Sequence, residues 1–412
     1  MLLFLIYFPI EGINLKKLVL LTSLCSFVFA NNIEILNENR QELQELEKSI
    51  IEKEYESSKK SWLSPLNLDA GISRSHSFSQ ESDSLSKTVS IGFSQSIYKS
   101  GGIEFTIKYA DDKLKSDLLS WENNNNELYV KVYEIILDIS KLNLEIEQSN
   151  YELKNKEIEL VLKKIEYEAG KTDIIELNNV IMTKNTAYKS NVNLQNSLQA
   201  QRYELSKYTS FEYEQIEVLD FELLNKDDFL SKNIEIMYQE SLANVLKSSY
   251  EKLKSAYLPN LSVSTSVSHS NNEDLITDET TENTSGKIAL NFSMPLYDFT
   301  KQSTVAKSKI EYLKQKTMIE TVKNEIARDF DMALSKVSTY QSYNKITEEN
   351  LKLYDDLISV NAVSNQAGMS SNYDLEILQN TQKINQYDIE INNINIQQEY
   401  AKLYFKTKGT HQ

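Results

Sequence analysis

Two halves of this chain repeat each other at a fixed spacing. The strand-like run from Val89 to Ile97, followed by Tyr98, returns 199 residues later as Ile288 to Leu296 followed by Tyr297. Ala169-Gly170 returns as Ala367-Gly368, 198 residues on. A duplication at this distance makes each half one structural unit, read here as a short β-hairpin set into very long helices.

Glycine and proline show where those helices end. The 412 residues hold only 9 Gly and 4 Pro, and none lies between Gly102 and Gly170, between Gly170 and Pro259, or between Pro295 and Gly368. Helices near 103–166 and 299–365 follow, each about 100 Å long at ~1.5 Å per residue. Shorter helices over 32–62, 173–207, 232–257 and 371–406 stack end to end in pairs beside them, so six helices read as four rods. Leu128, Val132, Ile135, Ile139, Leu142 and Ile146 step by fours and threes. That is the seam of a left-handed coiled coil. Ile326, Phe330, Ala333, Val337 and Tyr340 repeat it. The segment 208–231, with Phe211, Tyr213, Ile216, Val218, Phe221 and Leu223, breaks the heptad and reads as a belt around the rods.

The strands point to a membrane. Leu261, Val263, Thr265 and Val267 alternate with Ser262, Ser264, Ser266 and Ser268, while Leu66, Leu68, Ala70 and Ile72 alternate with Asn67, Asp69, Gly71 and Ser73. A soluble two-layer fold needs a second apolar layer to cover such a face, and the chain offers none. The small uncharged face suits a water-filled lumen, and about ten residues is the length of a tilted membrane strand. Four strands cannot close a barrel, and open edges in lipid leave backbone groups unsatisfied, so the sheet must close through further copies. Gln80 to Lys87 and Asn271 to Ser285 read as polar outer loops. The second carries Glu273, Asp274, Asp278, Glu279 and Glu282, a solvated loop with calcium binding as its alternative.

Charge and composition exclude other classes. With 60 Asp and Glu against 44 Lys and Arg, a net charge of −16, the chain lacks the basic surface that nucleic acid requires. Lys16-Lys17 and the apolar run Leu18 to Ala30 have the layout of a secretory signal peptide over 1–30, with cleavage after Ala30 and a doubtful leader over 1–15. A membrane anchor is the alternative, but the run is shorter than the roughly 20 residues a spanning helix needs. The single cysteine, Cys25, lies inside it, so no disulfide framework is expected after processing. The histidines are His76, His269 and His411, and no phosphate loop, metal cluster or nucleophile motif accompanies them. Neither an enzyme nor a cofactor is expected.

The strand-to-helix exits Phe93 to Tyr98 and Phe292 to Tyr297, with the turns Tyr167-Glu168-Ala169-Gly170 and Asn365-Gln366-Ala367-Gly368, resemble those of the TolC family of outer-membrane efflux proteins. Each motif is weak alone; their order and duplicate spacing are specific. The resemblance covers essentially the mature chain. It implies a mainly α protein with membrane β-hairpins: a long coiled-coil helical tunnel crossing the periplasm, and four strands per chain in a trimeric twelve-stranded β-barrel held in outer-membrane lipid. The implied layout is a first repeat over 31–207 with hairpin 66–98 and tip at 170, a linker over 208–231, and a second repeat over 232–412 with hairpin 260–297 and tip at 368. Ala169, Gly170 and Lys171, with Ala367, Gly368 and Met369, resemble the periplasmic tips where the family docks an adaptor (membrane fusion) protein coupled to an inner-membrane pump of RND, ABC or MFS type. The demands of a helix reversal alone also account for both glycines. Asp374 holds the place of the family's inward pore carboxylate, and Glu176 matches it in the first half. For Glu176, a favourable interaction with the helix dipole is the simpler account. Ile377 stands where some members have a second acid, and Ser370 where a gating arginine can occur, so the resemblance does not fix the details of the closed-state lock. The implied function is a passive exit duct of a tripartite efflux or type I secretion system, gated at its tip; the alternative is a soluble or periplasmic coiled-coil scaffold or adaptor.

Overall fold

The computed structural model describes residues 35–408 apart from 80, 81 and 217. The expected signal peptide with Cys25, and His411, lie outside the described residues. The helices are α1 (Glu38–Lys59), α2 (Gly102–Glu168), α3 (Ile174–Leu205), α4 (Lys226–Lys232), α5 (Ile234–Ser255), α6 (Lys301–Gln366) and α7 (Asn372–Tyr404). The strands are β1 (Asn67–Ser77), β2 (Ser82–Tyr98), β3 (Asn260–Asp274) and β4 (Thr280–Ser293).

Local chemistry sets the helix ends. Asn37, Asp173, Asn225, Asn233 and Ser371 each accept a backbone N–H of the first turn they precede, at α1, α3, α4, α5 and α7. The helix α2 starts behind Ser100 and Gly101, both at positive φ, which turn the chain out of β2. With 67 residues it runs about 100 Å. The small helix α4 begins inside the segment read as a belt and ends one residue beyond it. Asn225 caps it and Phe229, 1% exposed, packs on Phe330 of α6.

Two tiers of helices share α2 and α6 as through-going rods. Near the sheet, α2 lies between α1 and α5, and α6 packs on α5. Toward the helix turns, α2 lies between α3 and α7, and α6 packs on α7. The main core sits at the waist between the tiers. There Val132, Tyr133, Ile136 and Ile139 of α2 meet Phe221, Phe405, Leu205 and Tyr208, where the connecting segment and the C-terminal end of α7 cross the rods. Both predicted seams are buried at this level, Val132, Ile135 and Ile139 in one, Ile326, Phe330, Ala333 and Val337 in the other. Each fully buried side chain contributes roughly 1.5–3 kcal/mol. The last residues add a clasp: Ile234 donates to the carbonyl of Lys406, Lys408 donates to that of Lys232, and Asn233 bridges to Thr407.

The four strands form one antiparallel sheet in the order β1-β2-β3-β4. Ile91 opposes Leu68 on one side and Val267 on the other; Ser90 opposes Asp69 and Ser268. One face is thus apolar and the other carries serines, as the alternation predicts. The strands are longer than expected, because the supposed loop residues Ser82 to Lys87 pair with Ser77 to Ile72. No glycine or proline lies within Ile72 to Ser77 or Ser82 to Lys87, so the ladder continues toward the tip. Among the described residues nothing covers the apolar face: Leu68 is 72% exposed, Ile72 76% and Ile288 82%. No helix among the described residues is long and apolar enough to cross a membrane.

Candidate functional site: helix tips and an open sheet

The two helix reversals are built alike. At the first, Gly170 at φ +66° donates to the carbonyl of Tyr167, and Lys171 donates to that of Glu166 at 2.8 Å. At the second, Gly368 at φ +72° donates to Asn365, and Met369 to Ser364 at 2.8 Å. These are paired 5→2 and 6→1 bonds around a left-handed residue, the Schellman end that glycine adopts without a Cβ clash. Ala169, Gly170, Lys171, Ala367, Gly368 and Met369 are all exposed, and a Cβ on either glycine would meet nothing within 4 Å. The reversals also present apolar side chains to solvent: Ile174 and Ile175 at the first, Val360, Val363 and Met369 at the second. These flanking residues carried no signal in the periodicity, because they fall outside the seam that each helix buries.

The two acids differ in their surroundings. Asp374 belongs to a capping box on α7: its Oδ2 accepts the Ser371 N–H at 3.0 Å and the Ser371 hydroxyl at 2.8 Å, while its own N–H donates to Ser371 Oγ. Glu176 is the third residue of α3, its N–H donating to Asp173 Oδ1 at 2.9 Å. Its carboxylate lies in the field of Lys163, whose ammonium is held above its ordinary value first by the hydrogen bond to Glu166 and in smaller part by Glu176. Both acids are exposed. Each stands at the N-terminus of a different helix, where a negative charge is stabilised, and the protomer does not bond one to the other. Ser370 is turned inward on its own reversal, with its hydroxyl against the carbonyl of Asn361 and its carbonyl accepting from Asn365. No group of His, Cys, Asp and Glu among the described residues is placed to hold a metal ion.

Unpartnered surface gathers on the outermost elements. In the sheet, β1 and β4 each have one unpaired edge. Leu43, Leu46 and Ile50 of α1, Ile174, Ile181 and Tyr188 of α3, and Ile310, Leu313, Leu353 and Leu357 of α6 are exposed, in rows close to heptad spacing. One side of the protomer therefore ends in β1, α1 and α3, the other in β4 and α6.

Residues 227–405 match the family of outer membrane efflux proteins. No curated protein matches the chain by sequence. Among solved structures, the outer membrane protein VceC of Vibrio cholerae superposes with a TM-score of 0.71 at 12% identity, over 88% of this chain and 90% of its own. The open state of the MtrE outer membrane channel of Neisseria gonorrhoeae gives 0.72 at 14%, over 92% and 88%. The CmeC outer membrane channel of Campylobacter jejuni gives 0.68 at 14%, over 91% and 83%. The second half of the chain thus matches the family of outer membrane efflux proteins by sequence, and its described length has the fold of these outer membrane channels.

Proposed function

We propose that three copies of this chain close into a passive exit duct through the outer membrane, with two structural repeats per chain, over 31–207 and 232–412, joined by 208–231. The observation that carries the reading is the coincidence of edges. In the sheet, in the upper helix tier and in the lower one, the unpartnered elements fall on the same two sides, β1, α1 and α3 against β4 and α6. Two different complementary sides make a head-to-tail contact, and such contacts close into rings when the rotation permits. A ring also satisfies the backbone groups of β1 and β4 that lipid could not. A soluble scaffold would share the rods but has no use for an uncovered apolar sheet face. Three copies give twelve strands, the number implied by the resemblance to the TolC family.

At the far end, the exposed apolar residues beside Gly170 and Gly368 suit the docking of an adaptor's helical hairpin, which couples the duct to an inner-membrane pump of RND, ABC or MFS type. Three Asp374 side chains form a ring that favours cations, and opening separates them. Asp374→Asn keeps an acceptor for the capping box and removes the charge, so it should lower cation selectivity in planar bilayers with assembly intact. Asp374→Ala should in addition cost about 1 kcal/mol of helix stability. The deciding measurement is the native mass of the protein extracted with detergent from the outer-membrane fraction. A trimer supports the duct, and a monomer or dimer released without detergent refutes it. Gly368→Trp should then abolish efflux with the trimer still assembled; unchanged resistance to exported compounds would remove the docking role.

A further inference from the structure

The sheet carries a regular step. On the apolar face, the continuous apolar run ends at the outer polar rim with Ile72 in β1, Val89 in β2, Val267 in β3 and Ile288 in β4, and Leu85 of β2 is an isolated apolar residue beyond it, opposite Arg74. In each pair, the residue opposite that boundary is the first one of the rim on the next strand: Ile72 faces Lys87, Val89 faces His269, and Val267 faces Gly286. The boundary thus descends by two residues at every strand, three times in succession. A membrane surface is level, so the step measures how far the strands lean, and in a closed symmetric wall a fourth pairing must join β4 to β1 of the next copy under the same constraint.

We infer that β4 of one copy pairs antiparallel with β1 of the next in the register that continues this step, with Ile288 opposite Arg74, Leu290 opposite Ile72 and Phe292 opposite Ala70. The inference rests on the ring proposed above and adds to it which residues meet at the seam. On the lumen face the same register sets Ala289 opposite Ser73, Asn291 opposite Gly71 and Lys287 opposite Ser75. A seam without the step would instead put Ile288 opposite Ile72 and Lys287 opposite Ser73, and would displace the rim by two residues once in every four strands. The stepped seam runs from Asp69 opposite Ser293 to Ser77 opposite Ser285, and it ends just before Pro295, which has no N–H to give to a ladder.

Disulfide trapping tests the register, since directly opposed residues have Cα atoms about 4.5–5.5 Å apart and cysteines more than about 7 Å apart do not bridge. The full-length chain with Cys25→Ser would carry Ser73→Cys with Ala289→Cys, or Ile72→Cys with Leu290→Cys, and be oxidised in outer membranes with copper phenanthroline. The expected result is loss of the monomer band to a reducible species of three chains for at least one of these pairs, and its persistence for Ser73→Cys with Lys287→Cys. Single-cysteine chains, whose detergent-extracted mass is measured alongside, report assembly independently. Bridging by the Ser73 and Lys287 pair, or by none of the pairs while the mass remains that of a trimer, overturns the register and leaves the duct standing. A monomeric mass for the Cys25→Ser chain overturns both.

Discussion

Gly92 stands where two strands leave no room for a side chain. A Cβ there would lie 2.9 Å from the Thr265 carbonyl oxygen and 3.0 Å from Ser266 Cβ, whereas Gly71 has nothing within 4 Å. Gly92→Val should therefore destabilise by about 1–3 kcal/mol through overpacking, and Gly71→Ser should not, in thermal unfolding of the extracted protein. Glu145 of α2 offers a charge test. Burial pushes its carboxyl above the usual range, Lys141 opposes the shift and Asp138 adds to it. A raised folded value means that this group favours the fold only while protonated, a contribution complete below its unfolded value and lost as pH rises through the folded one. Glu145→Gln should thus raise the unfolding temperature near pH 7 and leave it unchanged at about pH 4. An equal gain at both would assign the effect to packing instead. Asp374 shows the limit of reading one residue at a time. A serine three positions before an acid at a helix start is a capping signal, and the protomer shows that role; the pore role proposed for the same acid needs the neighbouring copies.

At the scale of elements, much follows from what the chain omits. Without glycine or proline for sixty residues, α2 and α6 had to be rods, and the seam positions Val132, Ile139, Phe330 and Val337 are buried as their spacing requires. The strands were legible in position but not in length: Ser82 to Lys87 look like loop by polarity, although hydroxyl side chains that are wet on both faces do not end a ladder. The helix α4 escaped notice because seven residues are too few to show a period, and its cap and Phe229 declare it only once Phe330 is opposite. The exposed apolar residues Ile174, Ile175, Val360 and Val363 beside the tips were not legible, since an apolar residue off the seam has no partner in its own chain to betray it. Phe405 tests the waist. It is fully buried against Tyr133 and Phe221 at the junction of α2, α7 and the connecting segment. Phe405→Ala should cost about 3–5 kcal/mol and loosen the clasp between residues 232–234 and 406–408, seen as faster amide exchange there.

In the proposed ring each molecule is a strip of a cylinder wall, and its stability belongs to the closed form. A charge placed on either outer side should therefore act on assembly before it acts on the fold. Leu357→Glu on α6, or Ile50→Glu on α1, exposed by 51% and 58% in the protomer, should leave helix content unchanged by circular dichroism and shift the extracted species from trimer to monomer. Loss of helix in step with loss of trimer would mean that the side is not an interface. The descending boundary from Ile72 to Ile288 also fixes a dimension. A gain of two residues, about 6.6 Å, over a strand spacing of about 4.8 Å is a lean of roughly 54°, steeper than the 35–45° common in outer-membrane barrels. Each strand then occupies about 8 Å of circumference, and twelve enclose a cylinder about 31 Å across between backbones, where upright strands would enclose about 18 Å. In the proposed ring, the lean of the four strands would make the outer opening a wide collar and leave the limit on what passes to the ring of helix turns at the other end.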